Sequence, residues 1–82
     1  METSNSIPNI GSLIRTELVR QNHTVTWLAQ SLNIKRPNCY RLLRASSIHT
    51  DTLYRVSIAL RHDFFAECSA ALKSQLNNSQ KY

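Results

Sequence analysis

The sequence predicts an all-α fold, a compact set of five short helices. Three observations carry this. A single Gly (Gly11) and two Pro (Pro8, Pro37) leave little turn chemistry for β-hairpins. Apolar residues recur at three- and four-residue spacing, with no strand-like alternation competing. The 82 residues, 41% of them hydrophobic, suffice for one small core. On size alone they are too few for a roomy internal pocket plus a catalytic constellation. Neither a cofactor nor a small-molecule ligand is expected.

Residues 1–9 are polar and read as a flexible arm. Ile10, Leu13, Ile14 and Leu18 then share one helical face, with Asn9 as cap and Asn22-His23 as the end. Thr24 caps a second helix whose buried stripe is Val25, Leu28, Ala29 and Leu32. Asn33 follows, a residue that tolerates the left-handed conformation ending many helices, and Ile34 plugs the turn into the core. A third helix starts after Lys35. Pro37 in its first turn costs nothing, since those amides have no intrahelical partner. Cys39, Leu42 and Leu43 face inward. Thr50 caps a fourth helix, with Asp51 at its positive end, Ile48 as a staple, Leu53, Val56 and Leu60 inside, and Arg61-His62 at its negative end. Asp63 caps a fifth, with Phe64, Phe65, Cys68 and Leu72 apolar. The expected domain spans 10–76, and 77–82 is expected to fray.

Ten Lys/Arg against five Asp/Glu give a formal charge of +5. No acid lies between Glu17 and Asp51, a stretch holding Arg20, Lys35, Arg36, Arg41 and Arg44. The other cations and acids cancel. A concentrated basic face attracts phosphate polymers and releases their counterions. Cys39 and Cys68 fall at apolar spacings that suit buried free thiols, and His23, His49 and His62 read as surface residues or caps. No zinc-ligand spacing occurs. The N-terminal METSNSIPN lacks a basic start followed by an apolar stretch, so no secretory signal is expected and the cytoplasm is the expected compartment. No apolar run is long enough for a membrane span. No nucleophile–base set or Gly-rich phosphate loop can be inferred. Glu17, Asp51, Asp63 and Glu67 read as helix surface or caps. An enzyme is not expected.

Helices two and three are separated only by Asn33-Ile34-Lys35, the layout of a helix-turn-helix unit. In that unit the second helix enters the DNA major groove. Its outer face here carries Arg36, Asn38, Tyr40, Arg41 and Arg44, with no acid to pair with the cations. Arg reads guanine and Asn reads adenine bidentately, while Tyr40 and further Arg suit phosphate or sugar. Lys35 is a nonspecific phosphate attractor.

Residues 10 to about 72 resemble the lambda-repressor-like, Xre/Cro-type helix-turn-helix family. The matching string is TVTWLAQSLNIKRPNCYRLLRASSIHTDTLYRVSIAL, anchored by Leu28-Ala29, Ile34, Cys39, Leu42 and the run from Leu53 to Leu60. It looks closest to small stand-alone members of Bacteroides-type bacteria, which end in a similar Asp-Phe-Phe, here Asp63-Phe64-Phe65. The resemblance implies a five-helix lambda-repressor-like domain that binds operator DNA, usually as a homodimer, in a bacterial transcriptional regulator. Carried over by position, Arg36, Pro37, Asn38 and Arg41 fall where base-reading side chains sit. Thr24, Thr26, Arg44, Ser46 and Ser47 fall where phosphate contacts are usual. The chain departs from the pattern at Asn33, often Gly, at Lys35, usually a capping residue, and at Pro37, usually a polar reader.

Some residues admit other readings. Tyr40 also suits bracing Arg36 or packing on the connection to helix four. Trp27 sits beside the Leu28-Ala29 stripe, which suits packing on helix one or anchoring a protein partner. Phe64 and Phe65 suit the core, or one of them a partner face. A protein-interaction module on the same scaffold, antitoxin-like or an adaptor subunit, is the second reading. It would use Trp27, Phe64, Phe65 and the last helix. RNA binding is weaker, for want of stacking aromatics on a sheet.

Overall fold

The computed structural model describes residues 9–79, and side chains as far as Asn77. Asn9 stands in extended backbone and its side-chain oxygen accepts the Ser12 N–H at 3.0 Å, which starts α1 (Ile10–Arg20). Thr24 does the same for α2 (Val25–Leu32), accepting the Trp27 N–H at 3.0 Å. Asn33 ends α2 with φ 58°, and the Ile34 N–H returns to the Ala29 carbonyl at 2.9 Å. After this three-residue turn comes α3 (Arg36–Arg44). Lys35 at its N-cap makes no side-chain cap bond, because an ammonium has no acceptor.

The next start differs from the expectation. Thr50 is already the first helical residue of α4 (Thr50–Leu60), and His49 is the N-cap, without a side-chain bond. Asp51 takes over part of that work, its Oδ1 accepting the Thr52 N–H at 2.8 Å. Arg61 closes α4 in the left-handed region (φ 52°). Asp63 caps α5 (Phe64–Ser79) as expected, accepting the Ala66 N–H at 3.0 Å. The helix runs past Leu76, where fraying was expected to begin. Residues 1–8 and 80–82, holding nearly all of the expected arm and the end of the expected tail, lie outside the described residues. Among the described residues the chain is all-helical.

α3 packs against α1 and α2, and α2 against α4. The core is Ile10, Ile14, Leu18, Leu28, Ala29, Leu32, Cys39, Leu43, Leu53, Val56, Leu60 and Phe64. Leu13, Val25, Ile34, Leu42, Ile48, Phe65 and Cys68 pack partly against it. Leu72 does not: it is 56% exposed, because the packing of α5 on the core goes no further than Cys68.

Three helix C-termini receive side chains from elsewhere. Arg15 donates to the Leu43 carbonyl of α3, Arg55 to the Leu32 carbonyl of α2 at 2.6 Å, and Gln21 to the Leu60 carbonyl of α4 at 2.7 Å. At α3 the α1 backbone joins in. The Gly11 N–H reaches the Ala45 carbonyl at 3.0 Å and the Ile10 N–H reaches that of Ser46 at 3.3 Å. Only glycine permits this approach. A Cβ on Gly11 would stand 2.3 Å from the Leu43 oxygen and 2.6 Å from that of Ala45.

Glu17 is a second correction. It is buried rather than on the helix surface, and it is held by Arg20 and by Gln21 Nε2 at 2.6 Å. His62 Nδ1 lies 3.6 Å from its other oxygen. The Arg20 hydrogen bonds, set against burial and helped by Gln21 and His62, lower the Glu17 pKa from 4.5 to about 2. His62, expected at the surface, is half-buried between Glu17 and Glu67 and edge-on to the Phe64 ring at 4.6 Å. Both thiols are free as expected, and burial pushes that of Cys39 up.

Two predictions follow from these contacts. Gly11→Ala destabilises the fold by about 2–3 kcal/mol in chemical denaturation, although Ala is the better helix former, because the clash is with fixed backbone. Glu17 has a lowered folded pKa, so its stabilisation is present above pH 4.5 and is lost as the pH falls from there towards 2. Glu17→Gln therefore melts at a lower temperature at neutral pH. Its melting profile is also flatter than the wild type's between pH 4.5 and 2.

Candidate nucleic-acid interface

Helical geometry assigns α3 its faces. Cys39 and Leu43 are buried, so at about 100° per residue Arg41 points away from the core. Pro37 and Arg44 flank Arg41 on one side and Asn38 on the other. Arg36 and Tyr40 lie nearer the α1 and α2 edge. All six are exposed. Arg36, Pro37, Tyr40, Arg41 and Arg44 line one open groove. Asn38 and Arg41 line a second with Ser47, His49 and Thr52, between α3 and the start of α4. Arg41 is common to both.

The other candidate residues surround this face. Arg36 Nη1 donates to Thr26 Oγ1 at 3.3 Å, tying α3 to the exposed side of α2. Thr24 Oγ1 accepts the Trp27 N–H, which leaves its own hydroxyl proton available to donate. Tyr40 is 45% exposed and makes no hydrogen bond to Arg36; it lines a groove with Arg36 and borders a trough with Thr24 and Arg44. Lys35, Ser46 and Ser47 are exposed at the two ends of α3. Ser46 also lends its carbonyl to Ile10.

The electrostatics are one-sided. Among the described residues no carboxylate is within ion-pair distance of Lys35, Arg36, Arg41 or Arg44. Arg20 belonged to the same acid-free stretch by sequence, but it forks onto Glu17, which raises its pKa further and removes it from the basic face. Four cations without an ion pair among the described residues are thus grouped on α3 and its N-cap.

The candidate partner surface changes more. Phe64 is fully buried and is removed from it. Trp27 is half-buried and packed against the core, and its ring stacks on His23 in the α1–α2 link, with centroids 3.6 Å apart and planes 5° apart. Phe65 is half-buried beside the exposed Tyr54 and Ile58 of α4. Sequence reasoning missed Tyr54, Ile58, Leu72 and Leu76 as exposed apolar residues, since spacing alone cannot say which stripe a neighbour covers. It also missed the Thr26–Arg36 bond. The signal available for that bond was a hydroxyl at the start of one helix and a cation at the start of the next.

Among the described residues no three His, Cys, Asp or Glu side chains are grouped to hold a metal ion, and no helix is long and apolar enough to cross a membrane. In comparisons with known proteins the chain matches no family model, no curated protein and no solved structure.

Proposed function

We propose that the protein binds double-stranded DNA through α3, as a lambda-repressor-like helix-turn-helix regulator of transcription. The observation that carries this is the set of cations Lys35, Arg36, Arg41 and Arg44, without an ion pair among the described residues, on a short helix packed against α1 and α2 and at its N-cap. In this reading Arg36, Asn38 and Arg41 reach base edges in the major groove. Pro37 shapes the start of the helix and presents an apolar edge. Lys35, Tyr40, Arg44, Thr24, Ser46 and Ser47 hold phosphates. Thr26 orients Arg36. Two copies would occupy half-sites about one helical turn apart. The protein acts by binding rather than by catalysis.

A second reading has its own observation. Phe65, Leu72 and Leu76 lie on one line of α5, and the two leucines are 56% and 50% exposed. Such a stripe suits a protein partner, in which case DNA is not the ligand.

Binding to random-sequence duplex, followed by fluorescence anisotropy at several salt concentrations, separates the two. On random sequence, with no matched bases, all four cations meet phosphates, and the regulator reading predicts a slope of log K against log salt of about −3 to −4, shallower by roughly one for each cation removed in Arg36→Ala/Arg41→Ala. If the wild type does not bind at low salt, the regulator reading is wrong. Leu72→Ser/Leu76→Ser leaves that slope unchanged if α3 alone meets DNA.

A further inference from the structure

Beside the DNA-facing groove the structure holds a second concavity with a different chemistry. It is a trough of about 330 Å³ between the C-terminal half of α1 and the outer edge of α3. Its walls are Leu18, Val19, Val25, Leu43 and the ring of Tyr40. Val19 is 77% exposed, the highest figure for any large apolar side chain described, and it lies one helical turn from Arg15 on the same side of α1. Arg15 and Arg44, both exposed, border the trough. One nitrogen of Arg15 is taken by the Leu43 carbonyl, and Arg44 has no partner among the described residues. The nearest acid on α1, Glu17, faces the opposite way, into its cluster with His62. The trough is therefore apolar along its walls and cationic at its edge, with no carboxylate among the described residues that line it; Arg15 also offsets the Leu43 carbonyl at the α3 C-terminus.

We propose that this trough binds a small amphipathic monocarboxylate, its aliphatic or aryl body on Val19, Val25 and Leu43 and its carboxylate on Arg44 and Arg15. A neutral apolar molecule would leave both guanidinium groups unused. A divalent or strongly hydrated anion would leave the apolar floor wet. The volume suits a ligand of this size. Tyr40 and Arg44 belong both to the trough and to the face assigned to DNA phosphates, so occupation displaces DNA. That competition rests on the DNA-binding reading; the site itself does not. The trough thus supplies an effector site that neither motif nor composition discloses, because its walls come from α1, α2 and α3 together.

The chain has one tryptophan, and Trp27 stacks on His23, which lines the trough. Its emission is the readout, with sodium octanoate as the probe and octanol as the neutral control. A saturable change is expected with octanoate at a midpoint on the order of 1 mM, as suits a shallow open site. Arg44→Ala weakens it about tenfold, and octanol binds at least as much more weakly than octanoate. Val19→Gln, an exposed position outside the DNA face, weakens it several-fold while the helical circular dichroism and the salt slope on DNA are unchanged. Three results overturn the proposal: no saturable change up to tens of millimolar, a change that Val19→Gln and Arg44→Ala both leave intact, or equal binding of octanol. In parallel, octanoate is expected to release labelled duplex with the same midpoint. If the tryptophan titration succeeds but the wild type never binds duplex, the DNA reading fails and the trough stands. If duplex binds but octanoate does not release it while occupying the trough, the overlap through Tyr40 and Arg44 is refuted.

Discussion

The meeting of the α1 N-terminus with the α3 C-terminus governs the rest of the molecule. A helix leaves carbonyls without partners at one end and amides at the other. Here the deficits cancel: Ile10 and Gly11 N–H groups take the Ser46 and Ala45 carbonyls, and Arg15 takes that of Leu43. The positive end of one macrodipole faces the negative end of the other. Such an approach is possible only because position 11 has no side chain. α3 needs this support more than its neighbours do. Unlike α1 and α2 it has no side-chain bond at its N-cap, and its outer cations repel one another. Its stability comes from tertiary contacts at one end and a buried Cys39–Leu43 seam, not from its own propensities.

The same economy explains how the arginines divide. Arg15 and Arg55 each reach a helix-terminal carbonyl, and Arg20 neutralises a buried carboxylate. These three serve the fold. Arg36, Arg41 and Arg44 project from α3 with no carboxylate beside them among the described residues. Arg15 and Arg55 keep their charge while holding carbonyls, and two of the acids are gathered away from α3. Glu17 and Glu67 meet at His62, where α1, the end of α4 and the start of α5 come together. The acidic corner fastens α5 at its first turns, and the basic face is left open.

Local chemistry was legible where a cap or a spacing decides the outcome alone. Asn9, Thr24, Asn33 and Asp63 act as their side chains dictate, and the apolar stripes of α1 to α4 point inward. What escaped the sequence depends on distance. Glu17 looks like any surface glutamate until α4 and α5 bring His62 to it. Leu72 has core spacing, but no other helix extends far enough to cover it. Thr50 has the composition of a cap, yet the helix begins one residue earlier, with Asp51 serving the amides instead. For the candidate site, the identity of the outward residues on α3 was readable, because Cys39 and Leu43 orient the whole helix. Their partners were not: the Thr26 hydroxyl under Arg36 requires knowing how α2 and α3 pack.

That last contact bears on how much sequence α3 could read. Arg36 is steered by Thr26, and Pro37 carries no polar group, so the first turn offers a restrained cation and an apolar ring. Asn38 and Arg41 remain as polar groups with no hydrogen-bond or ion-pair partner among the described residues. If α3 meets DNA as proposed, few free readers and several phosphate-directed groups would give a binding energy dominated by charge and only modest discrimination per site. On that reading, specificity would have to come from joining two sites, or from controlling when the basic face is free. The trough edged by Arg15 and Arg44 lies where the second of these would act.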